Sequence, residues 1–120
     1  MNPKRKALVD HIAKLTSEGL MDWHDTLDED SFRAHLGNGM VRITRGGRKV
    51  GPDDEDISMP VHAILVMNEQ GLIVDEFEEV GHNGSISSLL EMARQRARGA
   101  DDIYDSMLKD RGKTTAANKR

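Results

Sequence analysis

Leu36-Gly37-Asn38-Gly39-Met40 and Asn68-Glu69-Gln70-Gly71 decide the fold of this chain. Each is a turn signal set between runs whose apolar residues alternate, the pattern of a β-hairpin. Before the first turn, Phe32, Ala34 and Leu36 alternate with Arg33 and His35; after it, Val41 and Ile43 alternate with Arg42 and Thr44. A two-residue Asn38-Gly39 loop pairs Leu36 with Val41 and Ala34 with Ile43, which keeps the apolar residues on one face. A three-residue loop sets Val41 and Ile43 against the other face and is rejected.

In the second hairpin, Val61, Ala63, Leu65 and Met67 share one face of the first strand, and His62, Ile64 and Val66 share the other. A strand apolar on both sides is usually interior to its sheet. Gly71 suits the left-handed bulge position that follows a type I turn. That pairing sets Val66 opposite Val74, Ile64 opposite Glu76 and His62 opposite Glu78. Between the hairpins, Gly46 to Ser58 carries Gly46-Gly47, Gly51-Pro52 and the run Asp53-Asp54-Glu55-Asp56, and reads as a long loop.

Helical patterns flank the hairpins. Asn2 then Pro3 is a cap followed by a ring pre-set for the first turn. Leu8, Ile12 and Leu15 recur at helical spacing, and Gly19-Leu20 suits a Schellman ending, so the first helix runs from Pro3 to about Glu18. Trp23, the sole tryptophan, is expected to cover one end of the core. After Gly81-His82-Asn83-Gly84, Ser85 is the expected cap of a stripe formed by Ile86, Leu89, Leu90, Ala93 and Ala97. Gly99 breaks the stripe, Asp101 caps a fresh turn, and Ile103, Tyr104, Met107 and Leu108 continue the apolar face. The expected fold is α+β: a four-stranded antiparallel meander with N-terminal and C-terminal helices on one face. It forms one domain over 1–110, with a disordered basic tail over 111–120.

Composition narrows the function classes. A chain of 120 residues fits one domain. With 37% apolar but only 3% aromatic residues, the core must be built from Leu, Ile, Val and Met. The absence of cysteine excludes disulfides, thiolate zinc sites, iron–sulfur clusters and cysteine nucleophiles. No signal-peptide pattern follows the basic Lys4-Arg5-Lys6, and no run approaches about 18 apolar residues, so a cytoplasmic protein with no membrane partner is expected. The net charge of −4 counts against bulk electrostatic binding to nucleic acid.

Gly19-Leu20-Met21-Asp22-Trp23, the stretch from Ser31 to Ile43, and the stretch from Leu89 to Asp102 together resemble a loose group of small bacterial proteins. The group carries a tryptophan ahead of a Phe-x-Ala-x-Leu-Gly-x-Gly hairpin and an Ala-Arg-x-x-Ala-x-Gly closing helix. The resemblance covers Leu8 to Leu108. It implies a fold and a bacterial or mobile-element origin, and it carries over no activity and no functional residues.

The chemical motifs are thin. Gly112-Lys113-Thr114-Thr115 echoes a phosphate-binding loop but has Met107 where the leading glycine belongs, and a helix before it instead of a strand. Gly81-His82-Asn83-Gly84 matches the short Gly-x-x-Gly clamp of RNA-binding modules, though here a strand leads in where the clamp joins two helices. The acidic run 53–56 lacks the alternation and central glycine of a calcium loop, and no serine sits in Gly-x-Ser-x-Gly. His35 and His62 could share the outer sheet face with Glu76 and Glu78, a conceivable metal or enzymatic cluster; cross-strand charge pairing is the simpler reading. No metal and no cofactor is therefore assigned.

The feature of greatest weight is the outer sheet face. The reading places Phe32, Ala34, Leu36, Val41, Ile43, Val61, Ala63, Leu65, Met67, Ile73 and Phe77 against the helices. It leaves Ile64, Val66, Leu72 and Val74 outside, beside Arg33, His35, Arg42, Glu76 and Glu78. Apolar residues clustered there and rimmed by charge mark a protein contact. The expected function is a non-enzymatic interaction protein, binding itself as a homodimer or binding another protein through that face. The alternative is a nucleic-acid-binding module using Arg94, Arg98, Lys113, Lys119 and Arg120.

Overall fold

The computed structural model describes residues 2–28, 30–50 and 57–110. Helix α1 (Pro3–Ser17) opens as its caps require: the Asn2 side chain accepts the Arg5 backbone N–H at 2.8 Å, and Pro3 follows. It closes on the two bonds of a Schellman motif. The Leu20 N–H reaches the Leu15 carbonyl at 2.8 Å, and the Gly19 N–H reaches Thr16 at 3.1 Å, with Gly19 at φ 75°.

Five strands follow: β1 (His24–Asp25), β2 (Ser31–Leu36), β3 (Gly39–Val50), β4 (Ile57–Met67) and β5 (Ile73–Val80). They form one antiparallel sheet in the order β1-β2-β3-β4-β5. Helices α2 (Ser85–Ala97) and α3 (Ala100–Lys109) complete the chain. The α+β meander is therefore as expected, with one strand more. The extra strand, β1, is two residues long and pairs with β2 through His24 and Arg33, too short for any alternation to announce it.

Three details depart from expectation. The first turn is Gly37-Asn38, so that Leu36 pairs with Gly39, Ala34 with Val41 and Phe32 with Ile43. Gly37 takes the positive φ (58°) that a type II′ turn needs at its first central position. Gly39 is instead a strand residue beside β4, where a Cβ would overlap the Met67 carbonyl oxygen. Second, β3 continues through Gly46-Gly47 to Val50 and pairs with β4 from Ile57 onward, so most of the expected loop is ladder; residues 51–56 lie outside the described residues, as does the expected tail 111–120.

The third departure is the facing of β4. Ile43 pairs with Ile64, and Ile64 pairs with Phe77. A bulge between Val66 and Met67 shifts the β4–β5 register, so Val66 meets Asp75, not Val74, and His62 meets Glu79, not Glu78. Ile64 and Val66 therefore lie under the helices: Ile64 is 0% exposed, and Val66 packs against the core. Leu65, Met67, Ala63 and Val61 take the opposite face. The placement of Ile64 and Val66 outside is thus overturned. Both faces of β4 are apolar, so period-two alternation carried no information about which was which.

The inner face is one row of Phe32, Ile43, Ile64 and Phe77 across β2 to β5, all buried. Helix α2 lies across it, touching all five strands with Ile86, Leu89, Leu90 and Ala93 buried. Helix α1 packs beside α2 and contributes Val9 and Ile12. Trp23 closes one end of this core: its Nε1–H donates to Thr16 Oγ1 at 3.0 Å, and that hydroxyl donates to the Ile12 carbonyl at 2.7 Å. Since a side chain at residue 39 has no room, Gly39→Ala is expected to cost about 1–3 kcal/mol, whereas Gly46→Ala, with nothing within 4 Å, costs nothing. Paired urea melts of the two variants check this.

Candidate functional site

Two regions of the sheet carry polar groups in an arrangement worth weighing. The first is the outer face. Cross-strand pairing sets Arg33, Arg42, Leu65 and Glu76 in one row, and His35, Met40, Met67 and Ile73 in the next. Each row thus runs from polar residues on β2 to the apolar side chains of β4, and the first ends on a carboxylate in β5. Met40, Leu65 and Met67 are half-buried by their neighbours alone, and Ile73 is exposed. Arg42 is oriented by two partners: its Nε–H donates to Ser31 Oγ at 2.9 Å and its Nη2–H to Asp28 Oδ2 at 2.7 Å. Arg33 and His35 are exposed. Leu72 and Val74 are exposed too, but at the β4–β5 turn and in the bulge, off these rows.

Of the residues expected on this face, the structure therefore brings Arg33, His35, Arg42 and Glu76 together. It sends Ile64 and Val66 to the core. Leu65, Met67 and Met40 take their place, and the signal that could have found them is the β3–β4 register, which the sequence between the hairpins leaves open.

The second region lies at the other end of the inner face, where Arg45, His62 and Glu79 form a row. His62 is 4% exposed, and its Nδ1 has no hydrogen-bond partner among the described residues. Burial of the ring, followed by the positive charge of Arg45, pushes its pKa below the usual imidazole range; Glu79 and a hydrogen bond to the Gly81 backbone pull the other way. A cleft of about 120 Å³ opens beside it, bounded by Arg45, His82, Ser87, Glu91 and Arg94.

The charges around this cleft satisfy one another. Glu79 Oε1 accepts the Ile86 N–H at 2.8 Å, placing a carboxylate at the positive end of α2. It replaces the expected Ser85 cap: the N-cap is Gly84, where a Cβ would overlap the Glu79 carboxylate. Arg94 bonds both Asp30 and Glu91, and Arg45 sits 4.0 Å from Asp30. Asp30 holds φ 56°, a left-handed conformation that aspartate tolerates better than most residues. This cluster ties the turn before β2 to α2.

The alternative site residues are placed as follows. Arg98 pairs with Asp25 at 3.3 Å, and the guanidinium groups of Arg94 and Arg98 lie 5.9 Å and 5.3 Å from the Phe32 ring centre. Both are engaged with the protein. Lys113, Lys119 and Arg120 lie outside the described residues, as does the phosphate-loop echo at 112–115. His35 and His62 occupy opposite faces, so the conceivable histidine–carboxylate cluster does not assemble. Among the described residues no group of three or more His, Asp or Glu is placed to hold a metal ion, and no helix is long and apolar enough to cross a membrane. Comparison with protein-family models, curated proteins and solved structures finds no match.

A histidine held neutral by burial makes folding pH-dependent. The unfolded chain takes up a proton near pH 6.5 while folded His62 does not, so stability is full above that pH and falls as the pH drops through the window down to the folded pKa. An NMR titration of the His62 ring is expected to give a pKa below 6.5; a value at or above it contradicts the buried, Arg45-facing placement.

Proposed function

We propose that this chain is a non-enzymatic interaction protein whose uncovered sheet face takes a protein surface, either a second copy of the chain or another protein. The observation that carries this reading is the outer row of Arg33, Arg42, Leu65 and Glu76. A solvent-facing antiparallel sheet commonly presents polar side chains outward. Here three long apolar side chains, Met40, Leu65 and Met67, occupy its centre, with cationic groups on the β2–β3 side and Glu76 on the other. An apolar centre inside a charged margin is the anatomy of a contact surface. The opposed signs of its two margins fix which way round a partner sits.

The His62 cleft is the competing location, and it is the weaker one, because its carboxylates and guanidinium groups are paired with each other. It fits a structural clamp.

Leu65→Asp and Arg33→Glu test the reading. Both side chains project from the face that the fold leaves open, so each variant is expected to fold and to weaken association at least tenfold, read as molar mass by light scattering across a concentration series. Ile64→Asp, which puts a charge at a position with 0% exposure, is expected not to fold. A chain that is monomeric at every concentration, with solubility and co-purifying proteins unchanged by Leu65→Asp, overturns the proposal.

A further inference from the structure

Helix α3 is the second surface that the fold leaves unsatisfied. Among the described residues it packs on α2 and on no strand. Ile103, Tyr104, Met107 and Leu108 recur along one side of it and are 52%, 57%, 66% and 82% exposed. A stripe of that kind at helical spacing normally faces a core. Gly99 at φ 67° turns the chain at the end of α2 and sends this stripe away from the α2 face that covers the sheet. The helix leaves from the β1 side, since the α2 terminus is held there by Arg98 and Asp25.

Resting on the reading of the sheet face as a contact surface, we infer that its occupant is α3 of a second copy of this chain, each copy laying its helix on the other's sheet. Three observations argue for it. The charges match: Asp105 borders the apolar stripe of α3, and the exposed Arg33 borders the apolar centre of the sheet face. The sizes match. Ten residues of helix span about 15 Å, and three strands span about the same distance at roughly 4.8 Å each. A single ten-residue helix buries too little for a stable complex, which needs roughly 1,200 Å² or more in total. A reciprocal two-fold exchange doubles the contact and closes it, leaving no open end to propagate. One assembly then covers both apolar surfaces.

A mixing experiment separates this arrangement from its rivals. Met107→Asp spoils the helix and leaves the sheet face intact; Leu65→Asp spoils the sheet face and leaves the helix intact. Arg33→Glu, at an exposed position, stands in for Leu65→Asp should that variant fold poorly. Each variant alone is expected to lose dimer mass in light scattering, with Kd raised at least tenfold. Mixed in equal amounts, they are expected to associate more tightly than either variant alone and less tightly than wild type, because the mixed pair keeps one of its two helix-on-sheet contacts sound. If Met107→Asp dimerises as wild type while Leu65→Asp does not, the two sheet faces pair directly: the contact-surface reading stands and the helix exchange fails. If Met107→Asp alone dissociates the dimer, α3 docks elsewhere, and the exchange fails as well. If wild type is monomeric throughout, the exchange is wrong whatever the sheet face binds.

Discussion

The inner row of Phe32, Ile43, Ile64 and Phe77 governs the rest of the molecule. Each member is fixed by its pairing with the next, and together they form the floor on which α2 lies. Because side chains alternate along a strand, slipping any one strand by a single residue would turn its whole inner set outward. Each large apolar side chain so displaced forfeits about 1.5–3 kcal/mol of burial. The row is thus held by mutual agreement among four strands, and the bulge in β5 is the adjustment that brings Phe77 into it. Without that extra residue, Glu76 would stand opposite Ile64 under the helices.

Polar groups then fix the helices at both margins of this floor. At the β5 edge, Glu79 receives the first turn of α2, while Arg5 of α1 bonds Asp75 through two nitrogens, at 3.0 Å and 2.6 Å, and stacks 5.0 Å from the Phe77 ring centre. That guanidinium holds the Asp75 carboxyl below its usual range. At the β1 edge, Arg94 and Arg98 hold Asp30 and Asp25 and cover Phe32. The two phenylalanines of the row are each roofed by arginine. A helix rich in arginine reads from sequence as a basic surface; in the fold Arg94 and Arg98 are paired with the protein's own acids, which is why the nucleic-acid reading draws no support from them.

What could be read in advance was what depends on neighbours in sequence. The Asn2 cap, the Gly19 ending, the Gly71 bulge and the break at Gly99 all follow from the conformational needs of a few adjacent residues. The order of helices and hairpins was legible for the same reason. What could not be read depends on residues far apart. The register of β4 against β3 is set across a connection whose glycines look like a loop and behave in part as a ladder. The role of Gly39 is imposed by the Met67 carbonyl, nearly thirty residues on. Glu79 caps α2 from another element, so Ser85, the local candidate, was the wrong one. In the candidate site, the charged members Arg33, His35 and Arg42 are legible because they lie on polar positions of clearly alternating strands, whereas Glu76 reaches the same face only through the bulge in β5. The apolar members were assigned to the wrong face, because β4 is apolar on both.

That two-sided apolarity has a bearing on function. The monomer needs Ile64 and Val66 to be apolar, because helices cover them. It has no such need of Leu65, Met67 or Met40, which none of the described helices covers. Polar residues at those positions would have made the register of β4 unambiguous and the outer face soluble. The chain forgoes both benefits on the one face left open, and carries a second uncovered apolar stripe on α3. A single copy uses each surface only in part: Met40, Leu65 and Met67 are half-buried, and the α3 stripe is exposed. Their composition makes physical sense if the state in which this protein works has more than one chain, with each exposed stripe covered by something that the isolated fold does not contain.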